Sequence, residues 1–215
     1  IRDSGCPYNY IFKYKEFYNR RFYVDERVLI PRPETELLVE ECINYYKGKS
    51  IDRYLDLCTG SGCIGISLAS ELDIKSVILA DISKDSLEVA KKNAYIYNID
   101  ADFIESDLFS KIVGEFDLIT INPPYVPLNR KRILDKTVID YEPNLALFAD
   151  NDGLSIIKKF IQEYDKYLTD DGLVLMEFDE SQGDAISKLL EEKKVNFKIY
   201  KDYSNMDRFV VMGGR

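Results

Sequence analysis

Histidine is missing from all 215 residues, and so is tryptophan. The lack of histidine removes the usual proton shuttle near neutral pH and the commonest metal ligand. Ser-His-Asp hydrolysis and histidine-ligated zinc chemistry are thereby excluded, and no metal is expected. Cysteine is scarce. Cys6, Cys42, Cys58 and Cys63 form no CxxC pair, and Cys58 and Cys63 flank a glycine-rich turn where free thiols acting as small hydrophobes are expected. No run of about 18 apolar residues occurs, so no membrane-spanning helix is expected. No charged-then-apolar leader opens the chain, and the cytoplasm is the default expectation for its location. The chain starts at Ile1 rather than Met, and an upstream piece is expected. Positive charge is in deficit, with 29 Lys and Arg against 38 Asp and Glu, a net charge of -9. The single run of three basic residues, Arg130-Lys131-Arg132, is too little for a phosphate-binding groove, so direct nucleic-acid binding is not expected.

What is present is the composition of a soluble globular chain, 46% hydrophobic and 31% charged. At this length one α/β domain with a sizeable core is expected. Residues 16–30 alternate aromatic and polar groups and predict a two-strand unit, stopped by Pro31 and Pro33. Apolar positions Leu37, Leu38, Cys42, Ile43 and Tyr46 predict a helix over 35–46. Strands are predicted over 53–58, 76–80, 102–105, 116–121 and 172–178, and helices over 63–72, 84–97, 152–168 and 181–192, with Ser83 as an N-cap. The charged stretch 126–150 reads as irregular. The strands 195–201 and 207–212 are joined by only five residues, too few for a crossover helix, and must pair antiparallel. Alternating strands and helices predict a parallel sheet covered on both faces, with a hairpin and helix attached at the N-terminus.

Three clusters carry chemistry. The first is Asp56-Leu-Cys58-Thr59-Gly60-Ser61-Gly62, a strand running into a glycine-rich turn whose backbone N–H groups can approach a ligand. Gly60-x-Gly62-x-x-Gly65 also matches a dinucleotide fingerprint, and a tight turn that merely packs a helix on a strand would look the same. The second is Asp81 at the end of the next strand. Its carboxylate suits two ribose hydroxyls, and equally suits a helix N-terminus. Asp107 and Leu108, past the third strand, would offer an acid and an apolar wall to an adenine ring, or form an ordinary loop. The third is Asn122-Pro123-Pro124-Tyr125. Two prolines after a buried strand remove two backbone donors and leave the carbonyls of Asn122 and Pro123 free to accept. With the Asn122 side-chain carbonyl and the flat Tyr125 ring, this is a receptor for a planar –NH₂ group.

Asp56 to Gly62, Asp81 and Asn122 to Tyr125 together resemble class I S-adenosylmethionine-dependent methyltransferases that modify amino nitrogens. Val24-Asp-Glu-Arg-Val-Leu-Ile-Pro-Arg-Pro-Glu-Thr-Glu36, Tyr141-Glu-Pro-Asn-Leu-Ala-Leu147 and Asp152-Gly153 narrow the resemblance to the PrmC/HemK family. That family comprises protein-(glutamine-N5) methyltransferases acting on peptide-chain release factors. The resemblance implies a Rossmann-like, seven-stranded, mostly parallel sheet with an antiparallel last strand, and S-adenosylmethionine as cofactor. It implies that Asp56, Cys58, Thr59, Gly60, Ser61, Gly62, Asp81, Leu108 and Asn122 serve the cofactor. Asn122, Pro123, Pro124 and Tyr125 would hold the glutamine of a Gly-Gly-Gln motif. Residues 1–48 are expected to be the end of an N-terminal region with the hairpin and linking helix, and 49–215 the catalytic domain; of the family's upstream helical docking domain only the end, near Pro7-Tyr8-Asn9-Tyr10-Ile11, is expected here. Cys58 stands where many members have glycine, and Glu177-Phe-Asp-Glu-Ser-Gln-Gly183 matches the family's acidic strand end loosely. Arg32-Pro33-Glu34-Thr35 either orders the helix start, with Thr35 as a cap, or lines the site. Other readings of the same motifs are a ribosomal-protein glutamine methyltransferase, an adenine-N6 nucleic-acid methyltransferase, a cofactor-binding module without activity and, least supported, a nicotinamide dehydrogenase.

Overall fold

The computed structural model describes residues 5–132, 134–150 and 152–213. The first four residues of the expected N-terminal region, with 151, 214 and 215, lie outside the described residues, as does 133. A short helix α1 (Tyr8–Phe12) precedes a hairpin of β1 (Tyr14–Phe17) and β2 (Arg20–Tyr23). The turn residues Tyr18 and Asn19 have φ of 45° and 57°, the left-handed pair that matches strand twist in a two-residue hairpin. The hairpin therefore sits earlier than the alternation predicts, and residues 28–30 are in no strand. Side chains and a local turn take part of their backbone instead: Tyr10 Oη donates to the Val28 carbonyl at 2.6 Å, the Ile30 N–H donates to Glu142 Oε2 at 3.2 Å, and the Val28 N–H donates to the Asp25 carbonyl.

Helix α2 (Thr35–Tyr46) then leads into the alternation β3 (Ser50–Leu57), α3 (Cys63–Glu71), β4 (Asp73–Asp81), α4 (Lys84–Tyr97), β5 (Asp102–Glu105) and β6 (Phe116–Ile121). The Ser83 hydroxyl caps α4 as predicted, accepting from the Ser86 N–H. The stretch expected to be irregular holds two-residue strands β7 (Val126–Pro127) and β8 (Phe148–Ala149), paired with each other, and the helices α5 (Lys136–Tyr141) and α6 (Asn144–Leu147) between them. Pairing two residues at each end closes this stretch into a flap. Helix α7 (Ser155–Glu163) is shorter than predicted. Gly153 is left-handed at φ 72°, and Asp152 turns back to accept the Leu154 N–H, so the helix cannot begin at 152. Strand β9 (Leu168–Glu177) starts earlier than its apolar run, α8 (Gly183–Lys193) follows, and β10 (Phe197–Lys201) and β11 (Asp207–Gly213) end the described chain.

Seven strands form one sheet in the order β10-β11-β9-β6-β3-β4-β5. The pairs among β9, β6, β3, β4 and β5 are parallel, and β11 runs antiparallel to both β9 and β10. Side chains alternate between two faces. Leu55, Leu57, Ile119, Ile121, Val174 and Met176 pack with α7 and α8 on one side. Tyr54, Leu118, Leu173 and Leu175 pack with α2, α3 and the hairpin on the other. Strand order reverses between β3 and β6, so their carboxyl ends flank a crevice where a doubly wound sheet takes its ligand.

Candidate active site

The loop after β3 is shaped by a buried carboxylate. Asp56, 1% exposed, accepts from the hydroxyls of Thr59 and Thr120, each at 2.6 Å. Burial pushes its pKa up to about 6 despite these bonds. The chain above it turns through Cys58 and Gly60, both left-handed, and Gly62 at φ 79° starts α3. A Cβ on Gly62 would lie 2.8 Å from Ile66 and 3.3 Å from Ala90, so its glycine serves the packing of α3 on α4. Asp81 braces the loop from β4: its carboxylate accepts from the Gly60 and Ser83 N–H groups, both at 2.9 Å. Burial raises its pKa.

These turns open onto one cavity. Cys58, Thr59, Gly60, Ser61, Asp81, Leu108, Asn122 and Pro124 line it, among the residues proposed from sequence. Asp56, Gly62, Pro123 and Tyr125 do not. Asp56 and Gly62 sit beneath the loop, and Pro123 is buried behind Pro124. The Tyr125 ring packs into the core and its hydroxyl donates to Glu177 Oε1 at 3.1 Å, so it presents no flat face to the cavity. Among the described residues none hydrogen-bonds the Asn122 side chain, whose amide is free on the cavity wall. Asp107 lines the cavity while its carboxylate pairs with Lys159 at 2.7 Å. All four cysteines are free thiols, and burial holds the Cys58 thiol protonated well above its usual range.

Of the two readings offered for residues 32–35, the cavity bears out the second, and it adds wall residues to which the sequence assigned no role. Thr35 does not cap α2: its hydroxyl has no partner and it lines the cavity, while Glu34 holds the cap position. Arg32 reaches Glu142 Oε1 at 2.7 Å, tying the segment before α2 to the flap. Pro143, Leu145, Ala146 and Phe148 of the flap form an apolar wall. Arg27 also faces the cavity, its guanidinium held in a fork by Asp25, whose pKa is lowered to about 2. Behind the 122–125 loop, Gln182 donates to the Tyr125 carbonyl at 3.0 Å. The one sequence signal for this last group is Glu177, a carboxylate ending an otherwise apolar strand at the crevice.

The chain matches the methyltransferase small domain family over residues 33–139. A release factor glutamine methyltransferase of Lactococcus lactis subsp. lactis is 42% identical over 206 residues, covering 95% of this chain and 76% of that protein. The enzyme of the same name from Leptospira interrogans is 45% identical, covering 98% and 76%. The chain belongs to the release factor glutamine methyltransferases. It is thus an enzyme of methyl transfer, and its methyl donor is S-adenosylmethionine. At the level of fold it is similar to a ribosomal protein L11 methylase from Lactobacillus delbrueckii subsp. bulgaricus, with TM-score 0.65, 22% identity, and 94% and 90% of the two chains covered. A 16S rRNA N2 G1207 methyltransferase of Thermus thermophilus, solved with AdoMet and guanosine, superposes with TM-score 0.67 at 17% identity, covering 94% and 50%. The cavity fits the donor: an open left-handed glycine, a half-buried carboxylate at the end of β4 and an apolar wall at Leu108 suit a nucleoside. No helix among the described residues is long and apolar enough to cross a membrane.

Proposed function

We propose that the chain methylates the side-chain amide nitrogen of the glutamine in the Gly-Gly-Gln motif of peptide-chain release factors, in the cytoplasm. Residues 49–215 are the catalytic domain in this reading, with 1–48 leading into it. The observation that carries it is the free Asn122 amide, followed by two prolines, on the wall of the cavity that Asp81 and Gly60 also line. S-adenosylmethionine supplies an electrophilic methyl group on a sulfonium. Asp81 would take the ribose hydroxyls, Leu108 the adenine, and residues 58–62 the remainder, with Asp56 and Gly62 shaping that loop from below. Asn122 Oδ1 and the Pro123 carbonyl accept the two N–H groups of the glutamine amide. An amide nitrogen is a poor nucleophile because its lone pair is delocalised, and hydrogen bonds that hold the –NH₂ out of plane restore part of its reactivity. Pro124 walls the pocket and Tyr125, pinned by Glu177 and Gln182, stiffens the loop. Positioning and electrostatics then carry most of the rate.

The test is to incubate the chain with S-adenosylmethionine and a purified release factor and to map methylation by mass spectrometry of its peptides. One added methyl on the Gly-Gly-Gln glutamine is the expected result. Asn122→Ala lowers turnover at least a hundredfold (about 3 kcal/mol) and leaves the affinity for S-adenosylhomocysteine within a factor of about 3. Equal loss in both would assign Asn122 to the cofactor alone.

A further inference from the structure

We propose that Glu177 is the proton acceptor of the methyl-transfer site, reached through the hydroxyl of Thr35. The inference rests on the amide-methylating reading above. It begins from two buried polar atoms that the fold leaves unpaired. Glu177 is 1% exposed; its Oε1 accepts from Tyr125, and its Oε2 has no partner. Thr35 is 2% exposed and its Oγ1 has no partner. The Thr35 hydroxyl faces the carboxylate closely enough to stabilise its charge, yet no hydrogen bond of good geometry joins them. Unpaired buried groups of this kind are a net cost to folding, so their presence beside a reaction site calls for a chemical reason.

Their placement supplies one. Ile121 of β6 lies beside Met176 of β9, so the next positions along these parallel strands are Asn122 and Glu177. Thr35 is on the cavity wall together with Asn122 and Pro124. A glutamine amide held at Asn122 would thus stand near a hydroxyl that has a carboxylate behind it.

The reaction gives such a group a proton to receive. When the amide nitrogen forms its bond to the methyl carbon, the carbon–sulfur bond breaks and its electron pair stays on sulfur. The nitrogen is left with one proton too many. Amide carbonyls are far weaker bases than a carboxylate, and no histidine exists to take the proton. Thr35 Oγ1 accepts the proton from nitrogen while its own passes to Glu177 Oε2, leaving a neutral amide, an intact hydroxyl and a neutral carboxyl. Product release and solvent entry return the carboxyl to its ionised form.

Every charged or titratable group facing this carboxylate is consistent with the role. Tyr125 donates from the loop after β6, Arg208 on β11 is engaged by Asp202, Glu34 stands before α2, and the Cys63 thiol opens α3. Burial outweighs the rest and raises the carboxyl above its ordinary range, nearer to neutrality, where a proton acceptor is most effective. Asp56 is the other buried acid at this end of the sheet. Both its oxygens already hold hydroxyls and it is off the cavity, so it does not compete.

The experiment measures single-turnover methylation of a release factor from pH 5 to 9, together with the infrared carboxyl band of the cofactor-free protein over the same range. The expected native rate falls on the acid side, with the midpoint of a protonated-carboxyl band that Glu177→Gln abolishes. Glu177→Gln and Thr35→Val each slow transfer more than tenfold and lose the acid limb. Thr35→Ser restores both, and the double variant is no slower than the slower single one. Affinity for S-adenosylhomocysteine and the melting temperature stay near native values. A Glu177→Gln protein with native rate and an unchanged acid limb overturns the proposal, and so does one whose loss of rate tracks a loss of fold or cofactor binding. A native chain that methylates no release factor overturns the functional reading and this proposal together. Native methylation with an unaffected Glu177→Gln overturns this proposal alone.

Discussion

Asp56 shows how one carboxylate can serve a site without touching its ligand. It is buried beneath the 58–62 loop, hydrogen-bonded to Thr59 and Thr120, and its pKa of about 6 lies above the ordinary value of 3.8. A carboxyl whose folded-state pKa is raised binds its proton more tightly folded than unfolded. Its contribution to stability is therefore greatest below about pH 4, declines as pH rises to about 6, and is flat above. The decline is about 3 kcal/mol. Asp25, lowered to about 2 by Arg27, has the opposite sign: its contribution is present above about pH 4 and is lost as pH falls toward 2. Urea unfolding at pH 4 and pH 6.5 should show the Asp56 decline in the native chain and not in Asp56→Asn, because every other group is common to both. An identical pH dependence in the two proteins would remove Asp56 as its source. At the same scale, the left-handed Cys58 and Leu108, with φ of 54° and 46°, both lie on the cavity wall. Each holds a conformation that costs about 1–2 kcal/mol outside glycine, and such strain gathers at functional sites.

At the scale of elements, the approach of one backbone to another decides what the loops can tolerate. Gly153 is left-handed, and a Cβ there would collide with the Tyr125 carbonyl, with Gln182 Nε2 only 2.8 Å away. Gly153→Ala should push the 122–125 loop off its position. The expected result is a tenfold or greater fall in kcat with S-adenosylhomocysteine affinity retained, read by kinetics and calorimetry; a fall in affinity alone would place the damage elsewhere. Gly65 is helical and its Cβ would meet the Leu79 side chain, with Asp56 Oδ2 at 3.0 Å. Gly65→Ala should cost about 1–3 kcal/mol by overpacking α3 on the sheet, measured as a shift in urea midpoint. The elements themselves were readable where periodicity ran uninterrupted, as in α2, α4, β5 and β6, whose predicted limits agree with those observed. They were misread where side chains substitute for a strand partner, at residues 28–30, and where Gly153 halts the expected helix. The 126–150 stretch hid its short helices because pieces of four to six residues carry too few apolar positions to show a period.

Across the whole molecule, the cavity is closed by contacts between segments far apart in the chain. Glu142, 1% exposed at its side chain, accepts from the Ile30 N–H and from Arg32, joining the flap to the segment before α2 over more than a hundred residues. Removing the carboxylate leaves a buried N–H unpaired and frees Arg32, so Glu142→Ala should destabilise the fold by about 2–4 kcal/mol. It should also loosen the flap, seen as faster hydrogen exchange at residues 136–149 and weaker cofactor binding; unchanged exchange there would show that the flap is held by its apolar face instead.

The sequence by itself determined the alternation of strands and helices, the antiparallel end of the sheet and the three clusters at strand ends. Each of those follows from local periodicity, from linkers too short to cross over, and from the chemistry of glycine and proline. Only the tertiary structure decided which of the motif residues face the cavity and which brace it from behind. It also decided that Thr35 lines the cavity and that Glu177, Glu142 and Gly153 contact the segments around it. Their roles depend on partners contributed by other strands and by the flap, and burial and pairing across such distances have no local signature in the chain.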